Sequence, residues 1–491
     1  MLSLINTNRM SPPIAPLGLA YVAAAARAAG IETEVVDLPL ADDPAKYLTD
    51  HFRRAAPALV GLSFRNVDDC FWPSGKSFLP ELAEMVGAIR ALTDAPIVLG
   101  GVGFSIFGRR IVRHVGADFG IRGDGERAIV ELYREVTGGG EYHRVPGLVW
   151  NTSHAAQRVG VGVGEEVEGK VQCNAPAWSD PFSVPTARDV LDNWEYFRLG
   201  GQGGVETKRG CPRRCVYCAD RLAKGPRVRA RAPVEVADEV QSLLRQGVDV
   251  LHLCDGEFNI PREHAMAVCK VLSARGLGRR VRWYAYLAVT PFDAELAAAM
   301  AQAGCVGINF TGDSAAAAML ASYGHPHGPE DIQAAARLCR DHGMAAMFDL
   351  LLGGPGETSE TLAETIGFME GLDADAIGAA LGVRVYPHLP IVDLIAAEGP
   401  MEANPSIRRH YDGPVDLLLP TFYISSALGE SPAALVRDLI GDDERFFKPA
   451  LAIDAPGAAA GDHNYNDNTP LAEAIANGAR GAYWHILRQM G

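Results

Sequence analysis

The chain has 491 residues, 48% apolar and 21% charged, with a net charge of −15. That length implies roughly two to four domains, and the acidic balance argues against a nucleic-acid partner, whose phosphates select Lys and Arg. The longest apolar run near the start, Gly18 to Ala26, is cut by Arg27, well short of the ~20 residues that span a bilayer. With no charged-then-apolar leader in view, the expectation is a cytoplasmic protein with no membrane partner.

Residues 1–136 read as strand alternating with helix. Leu2–Asn6 is a short apolar strand, and Pro16–Ala29 a helix with Leu17, Tyr21, Ala24 and Ala28 on one face. Strands are expected at Thr33–Leu38, Ala58–Phe64, Pro96–Leu99 and Phe119–Arg122. Helices fall near Ala45–Ala55, Leu79–Leu92, Ile106–Val115 and Glu126–Val136. Five strand–helix units predict an α/β fold with a doubly wound, Rossmann-like parallel sheet, which binds ligands beyond its strand carboxyl ends. Residues 137–204, with Gly138-Gly139-Gly140 and scattered prolines, read as a linker with a small hairpin.

Alternation resumes over 205–390. Strands are expected at Val205–Lys208, Val250–Leu253, Arg282–Tyr286, Gly307–Phe310, Met347–Leu352 and Gly382–Tyr386, with an amphipathic helix at Val234–Arg245. Six such units predict a partial or complete (β/α) barrel with its site at the strand C-termini. Residues 391–491 lose the pattern and form a mixed segment, a candidate substrate cap.

Of nine cysteines, Cys70, Cys173, Cys254, Cys269, Cys305 and Cys339 are scattered, whereas Cys211, Cys215 and Cys218 fall within eight residues. This usage fits a reducing compartment and one thiolate-bound cofactor. The CxxxCxxC run directly follows a strand and supplies three ligands. Structural zinc wants four, usually from two knuckles, and no second knuckle exists. A 4Fe–4S cube on three cysteines leaves one iron open, which suits catalysis; zinc or plain burial is the alternative.

This spacing, with Tyr217 before the last cysteine, resembles the radical S-adenosylmethionine (SAM) superfamily, in which the open iron chelates SAM. The resemblance implies that Gly256 and Glu257, within Asp255-Gly256-Glu257, contact the SAM amino group; the family usually has Gly-Gly-Glu, so Asp255 departs from it. Asp313 and Ser314 fall where the family places polar groups near the ribose. Gly354 lies in the Leu352–Thr358 run, whose glycines let backbone approach a ligand. Each of these is weak alone, and a Gly-Pro-Gly turn is more often plain turn chemistry. Tyr286 and Arg384, at strand ends, are the catalytic candidates; Arg384 is expected to close the sixth strand, beside the substrate.

The N-terminal part lacks GxGxxG after its first strand, which disfavours a nicotinamide. Its Pro13–Val22 run, Leu99-Gly-Gly101 turn and Arg122-Gly-Asp-Gly-Glu126 run resemble the cobalamin-binding domain of the cobalamin-dependent (class B) radical SAM branch. That resemblance implies that Gly100, Gly101 and Gly103 pass a buried cobalamin tail, and that Arg65, which has no lone pair to donate, lies below the cobalt. The alternative pairs Arg65 with Asp68 or Asp69.

The resemblance further implies a methyltransferase that moves a methyl group from SAM through methylcobalamin to a carbon or phosphorus of a small molecule. An external electron donor of flavodoxin or ferredoxin type would serve it. Rival readings are a radical SAM mutase, ring-contracting or cyclising enzyme that transfers no methyl, or a non-catalytic corrinoid or iron–sulfur protein. Two C-terminal runs, His463–Asn468 and Ala479–Trp484, either line a pocket or simply pack.

Overall fold

The structure is a computed structural model that describes residues 1–152, 171–176, 178–179, 182–184, 188–451 and 468–490. Short, largely apolar runs form β1 (Leu2–Asn6), β2 (Thr33–Asp37), β3 (Leu59–Ser63), β4 (Ile97–Gly100) and β5 (Phe119–Ile121), which pair in parallel. Leu2 and Leu4 face helices Leu17–Ala28 and Gly125–Arg134. Ile5 on the other face joins the core beneath helices Pro44–Arg54, Leu79–Arg90 and Val102–Val115. Both faces are covered, as a parallel sheet requires.

Two further strands, β6 (Leu148–Asn151) and β7 (Val171–Cys173), add antiparallel to β5, so the order is β2-β1-β3-β4-β5-β6-β7. The hairpin expected in a linker therefore completes the first sheet. It covers the β5 edge, which would otherwise offer unpaired backbone groups, and buries Leu148 and Val149.

A second sheet begins at β8 (Gly203–Val205). A small antiparallel pair, β9 (Lys208–Arg209) and β10 (Arg229–Ala230), then flanks the cysteine loop. The sheet continues through β11 (Val250–Leu253), β12 (Arg282–Ala288), β13 (Cys305–Asp313), β14 (Ala345–Leu352) and β15 (Ala376–Leu381). Next, β16 (Val383–Arg384), β17 (Ile407–Arg409) and β18 (Thr421–Tyr423) form a separate antiparallel sheet, and β19 (Phe446–Phe447) returns to the barrel. The barrel order is β19-β15-β14-β13-β12-β11-β8, parallel throughout, with β8 and β19 as open edges.

The expected sixth strand at Gly382–Tyr386 is corrected. The barrel strand is β15, and Gly382, at φ +95°, turns the chain out of it. Beyond it, Arg384 belongs to the small sheet. The C-terminal helix Tyr483–Met490 sets Trp484 edge-on to Tyr284 with ring centroids 6.2 Å apart, and Trp484 is part of the barrel core. Its role is packing. The His463–Asn468 run lies outside the described residues except for Asn468, whose side chain caps helix Thr469–Ala476. Among the described residues no helix is long and apolar enough to cross a membrane.

Candidate active site

The cysteine loop leaves β9 through Gly210, at φ +86°, where a Cβ would lie 2.0 Å from the Arg227 carbonyl oxygen. Only glycine fits that approach. The loop is held by Cys211 N–H on the Gly225 carbonyl at 3.1 Å and by Val216 N–H on the Tyr323 carbonyl at 3.1 Å. Cys211, Cys215 and Cys218 are free and half-buried. Burial first, then neighbouring carboxylates and one another, raise these thiols, Cys215 to about 12. Thiols so shifted stay protonated at neutral pH unless a cation draws the proton off. Iron supplies that cation, so the donor set fits a cluster. Among the described residues no group of three His, Cys, Asp or Glu is arranged to hold a single metal ion.

Beside the loop, β11 ends in Asp255-Gly256-Glu257. Asp255 is buried, takes Lys208 Nζ at 2.8 Å, and accepts from Thr207 N–H at 2.8 Å and Thr207 Oγ1 at 2.5 Å. Burial would raise its carboxyl, but Lys208 outweighs it and holds Asp255 below the usual carboxylate range. The departure from Gly-Gly-Glu thus has a structural use, since Asp255 ties the strand leading into the cysteines to β11.

Glu257 accepts from Thr311 Oγ1 at 2.9 Å through Oε1, while Oε2 is buried with no partner. Burial, with Asp313 adding to it against the Thr311 bond, raises Glu257 to about 7. An unpaired buried carboxylate oxygen beside the cysteines suits the ammonium of a bound amino acid. Asp313 ends β13 in the left-handed region at φ +57°. It accepts from the Tyr217 hydroxyl and meets His325 Nε2 at 2.5 Å, joining the cysteine loop to the barrel.

Three sequence candidates point elsewhere. Ser314 is buried with its hydroxyl 2.8 Å from Thr365 Oγ1, packing strand to helix. At Gly354 a Cβ would lie 2.2 Å from the Tyr323 hydroxyl, which donates to the Leu351 carbonyl at 2.6 Å. That glycine makes room for a tyrosine. Arg384 is buried, with Nε 2.8 Å from Asp68 Oδ2 and the guanidinium on the Val385 and Leu417 carbonyls. It is a strut between the two halves, its charge met by Asp68.

Tyr286 faces the mouth of the barrel at 38% exposure. Burial, with Asp349 adding and Arg65 opposing, raises its hydroxyl to about 12. Its ring centroid lies 5.0 Å from that of His252, tilted by 56°. Burial, aided by Arg65 against Asp255, holds the His252 imidazole down at about 4, hence neutral. His252, Thr311 and His325 were missed from the sequence. Isolated residues on inner strand faces have no spacing signal, and His325-Pro-His327 was the one local cue.

Arg65 comes from the loop after β3 and is exposed, with Nη1 3.2 Å from Met10 Sδ. Neither Asp68 nor Asp69 pairs with it: Asp68 holds Arg384, and Asp69 accepts from Ser74 Oγ and from Lys76 N–H at 3.1 Å. Its charge acts on His252, Cys254 and Tyr286, so the loop overhangs the barrel mouth. Next to it a cavity of about 330 Å³ opens at the carboxyl ends of β1 and β3, lined by Asn8, Met10, Phe64, Arg65, Lys76 and Met85 among others. That is the size of a small-molecule pocket, and it fits part of a corrinoid.

The three glycines differ in their surroundings. Around Gly100 nothing lies within 4 Å of a built Cβ. At Gly101, φ +110°, a Cβ would meet the Phe64 carbonyl oxygen at 2.5 Å, and at Gly103 the Asn66 carbonyl carbon at 2.9 Å. These two glycines admit the Arg65 loop against the helix start, and Gly103 N–H donates to the Arg65 carbonyl at 2.7 Å.

Comparison with known proteins agrees with this two-part layout. The model of the Radical SAM superfamily matches residues 205–369, and that of the B12 binding domain matches residues 5–133. Tryptophan 2-C-methyltransferase of Streptomyces laurentii is 29% identical, over 98% of this chain and 95% of that protein. The structure of TsrM, a radical SAM methyltransferase from Kitasatospora setae, with tryptophan and a SAM analogue bound, is 30% identical with a TM-score of 0.88, covering 99% of this chain and 97% of that one. TsrM with cobalamin and a [4Fe–4S] cluster bound aligns with a TM-score of 0.86. OxsB, at 16% identity and a TM-score of 0.70, shares the fold. With both domains matched and 30% identity along nearly the whole length, the chain belongs to the cobalamin-dependent radical SAM methyltransferases, carbon-methylating enzymes whose cofactors are a 4Fe–4S cluster, SAM and cobalamin.

Proposed function

We propose that this enzyme methylates the indole of tryptophan or a close relative of it at C2. The observation that carries the reading is the end-to-end likeness to a tryptophan 2-C-methyltransferase and to a methyltransferase structure holding tryptophan. An aromatic wall at the barrel mouth, Tyr286 against His252, suits a flat ring.

In this proposal Cys211, Cys215 and Cys218 hold the cluster, and Tyr217 braces their loop through Asp313. Glu257, beside Gly256, takes the ammonium of SAM on its unpaired Oε2, and Asp313 lies toward the ribose. Arg65 would lie beside the corrinoid without supplying a ligand to it, and Gly100 would leave room for its tail. The cofactors supply the methyl group and the cobalt that relays it. The neutral Tyr286 and His252 orient the ring and exclude water. An electron donor of flavodoxin or ferredoxin type serves the cluster.

The test uses anaerobically reconstituted protein, methyl-labelled SAM and tryptophan. The expected products are S-adenosylhomocysteine and tryptophan labelled at C2. Release of 5′-deoxyadenosine with no methylated indole would instead favour a radical rearrangement.

A further inference from the structure

The inner face of the barrel carries a polar pair that the cysteine chemistry leaves unused. Strand register sets that face: Tyr286 lies opposite Asn309, and Thr311 opposite Asp349. Residues opposite one another in a parallel pair, and those two apart on one strand, share a side. Tyr286 lies open to the cleft on this side, and Thr311 reaches Glu257 from it.

Asn309 is only 4% exposed, and its Nδ2 donates to Asp349 Oδ2 at 2.8 Å. A carboxylate can only accept, so this contact fixes which end of the amide is nitrogen. The other end, Oδ1, is therefore an acceptor, and it is buried without a partner. Leaving an acceptor so is costly, and a donating ligand removes the cost. The Asp349 charge reaches the Tyr286 hydroxyl, and strand register puts amide, carboxylate and aromatic ring on the same side of the barrel wall. Acceptors and negative charge together match an ammonium group, which carries three donors and no acceptor.

We propose that Asn309 and Asp349 bind the primary ammonium of the substrate and so select amino acids over their desamino counterparts. The assignment rests on the reading of the substrate as an aromatic amino acid. Two ammonium groups then enter one barrel, that of SAM at Glu257 and that of the substrate at Asn309 and Asp349.

Full-length protein carrying cluster and cobalamin is titrated calorimetrically with tryptophan and indole-3-propionate, and with phenylalanine and 3-phenylpropionate. The wild type is expected to bind at least one amine tenfold or more tighter than its desamino partner. Asp349→Asn and the near-isosteric Asn309→Leu should each bring that ratio toward one. Affinity for S-adenosylhomocysteine and the cobalamin spectrum should stay unchanged, which also reports that the variants fold. No amine preference in either pair overturns the assignment, as does its survival in both variants or a parallel loss of S-adenosylhomocysteine binding. An amine preference that depends on Asn309 and Asp349 without a preference for indole upholds the assignment while sinking the tryptophan reading.

Discussion

Glu357 shows how much one buried carboxyl can decide. It is 1% exposed behind the Gly353–Pro355 turn, accepts from Gly353 N–H, and leaves Oε1 without a partner. Burial raises it to about 7 from 4.5, against the Gly353 and Gly354 N–H groups. The folded state thus keeps a proton that the unfolded chain releases, so stability is full below about pH 4.5 and falls as pH rises toward 7. The loss is on the order of 3 kcal/mol. Glu357→Gln should flatten this slope and raise the urea midpoint at pH 8, measured against wild type at pH 5 and pH 8. Cys215→Ala should abolish bound iron and sulfide while cobalamin still binds, read from iron analysis and the visible spectrum, because the cavity proposed for the corrinoid is built from the first sheet. Residues of this kind were legible in unequal measure. The cysteines have a spacing, and Glu257 follows a glycine at a strand end. Asn309, Asp349 and His252 are single polar residues inside strands, and only register reveals that they share a face with Tyr286.

Among the elements, the loop from Phe64 to Val67 depends on the helix start it rests on. Gly103→Ala would force a Cβ to 2.9–3.0 Å from the backbone of Arg65, Asn66 and Val67, where no rotamer change gives relief. The expected cost is ~1–3 kcal/mol with at least tenfold weaker cobalamin binding, seen by thermal melt and cobalamin titration. Gly100→Ala, with nothing within 4 Å, should leave the melt unchanged. A drop in its cobalamin affinity alone would place the tail alongside it. Most elements were readable because strand and helix alternate with clear apolar periods. The exception, β15, runs Ala-Ile-Gly-Ala-Ala-Leu, and alanine and glycine give little strand signal. The more strand-like Gly382–Tyr386 drew the assignment, and with it Arg384. The helix at Val102–Val115 begins four residues ahead of expectation because Gly101 starts it where the pattern suggested a turn.

Across the molecule, the two halves meet over a shared set of charges. Arg188, Arg209, Arg229 and Arg231 face Asp124, Glu126, Glu206 and Glu239, four against four. Glu239 is fully buried, takes Arg188 at 2.6 Å and Arg231 at 2.5 Å, and accepts from the Tyr21 hydroxyl of the first half at 3.0 Å. Removing one partner of a buried pair strands the other. Glu239→Gln should therefore lower unfolding stability by ~3–5 kcal/mol, seen as a shifted urea midpoint. The shift should change little with salt, since enclosed charges are weakly screened.

The same set has a consequence for motion. Asp124 and Glu126 come from the N-terminal half, and the arginines they face, Arg209 and Arg229, from the other. Swinging the lobes apart at that seam would strip Asp124, Glu126 and Arg229 of their counterions at once and leave Arg209 with Glu206 alone. The seam behaves as a bolt: parting the lobes there means exposing several enclosed charges together, so the two halves are held as one unit.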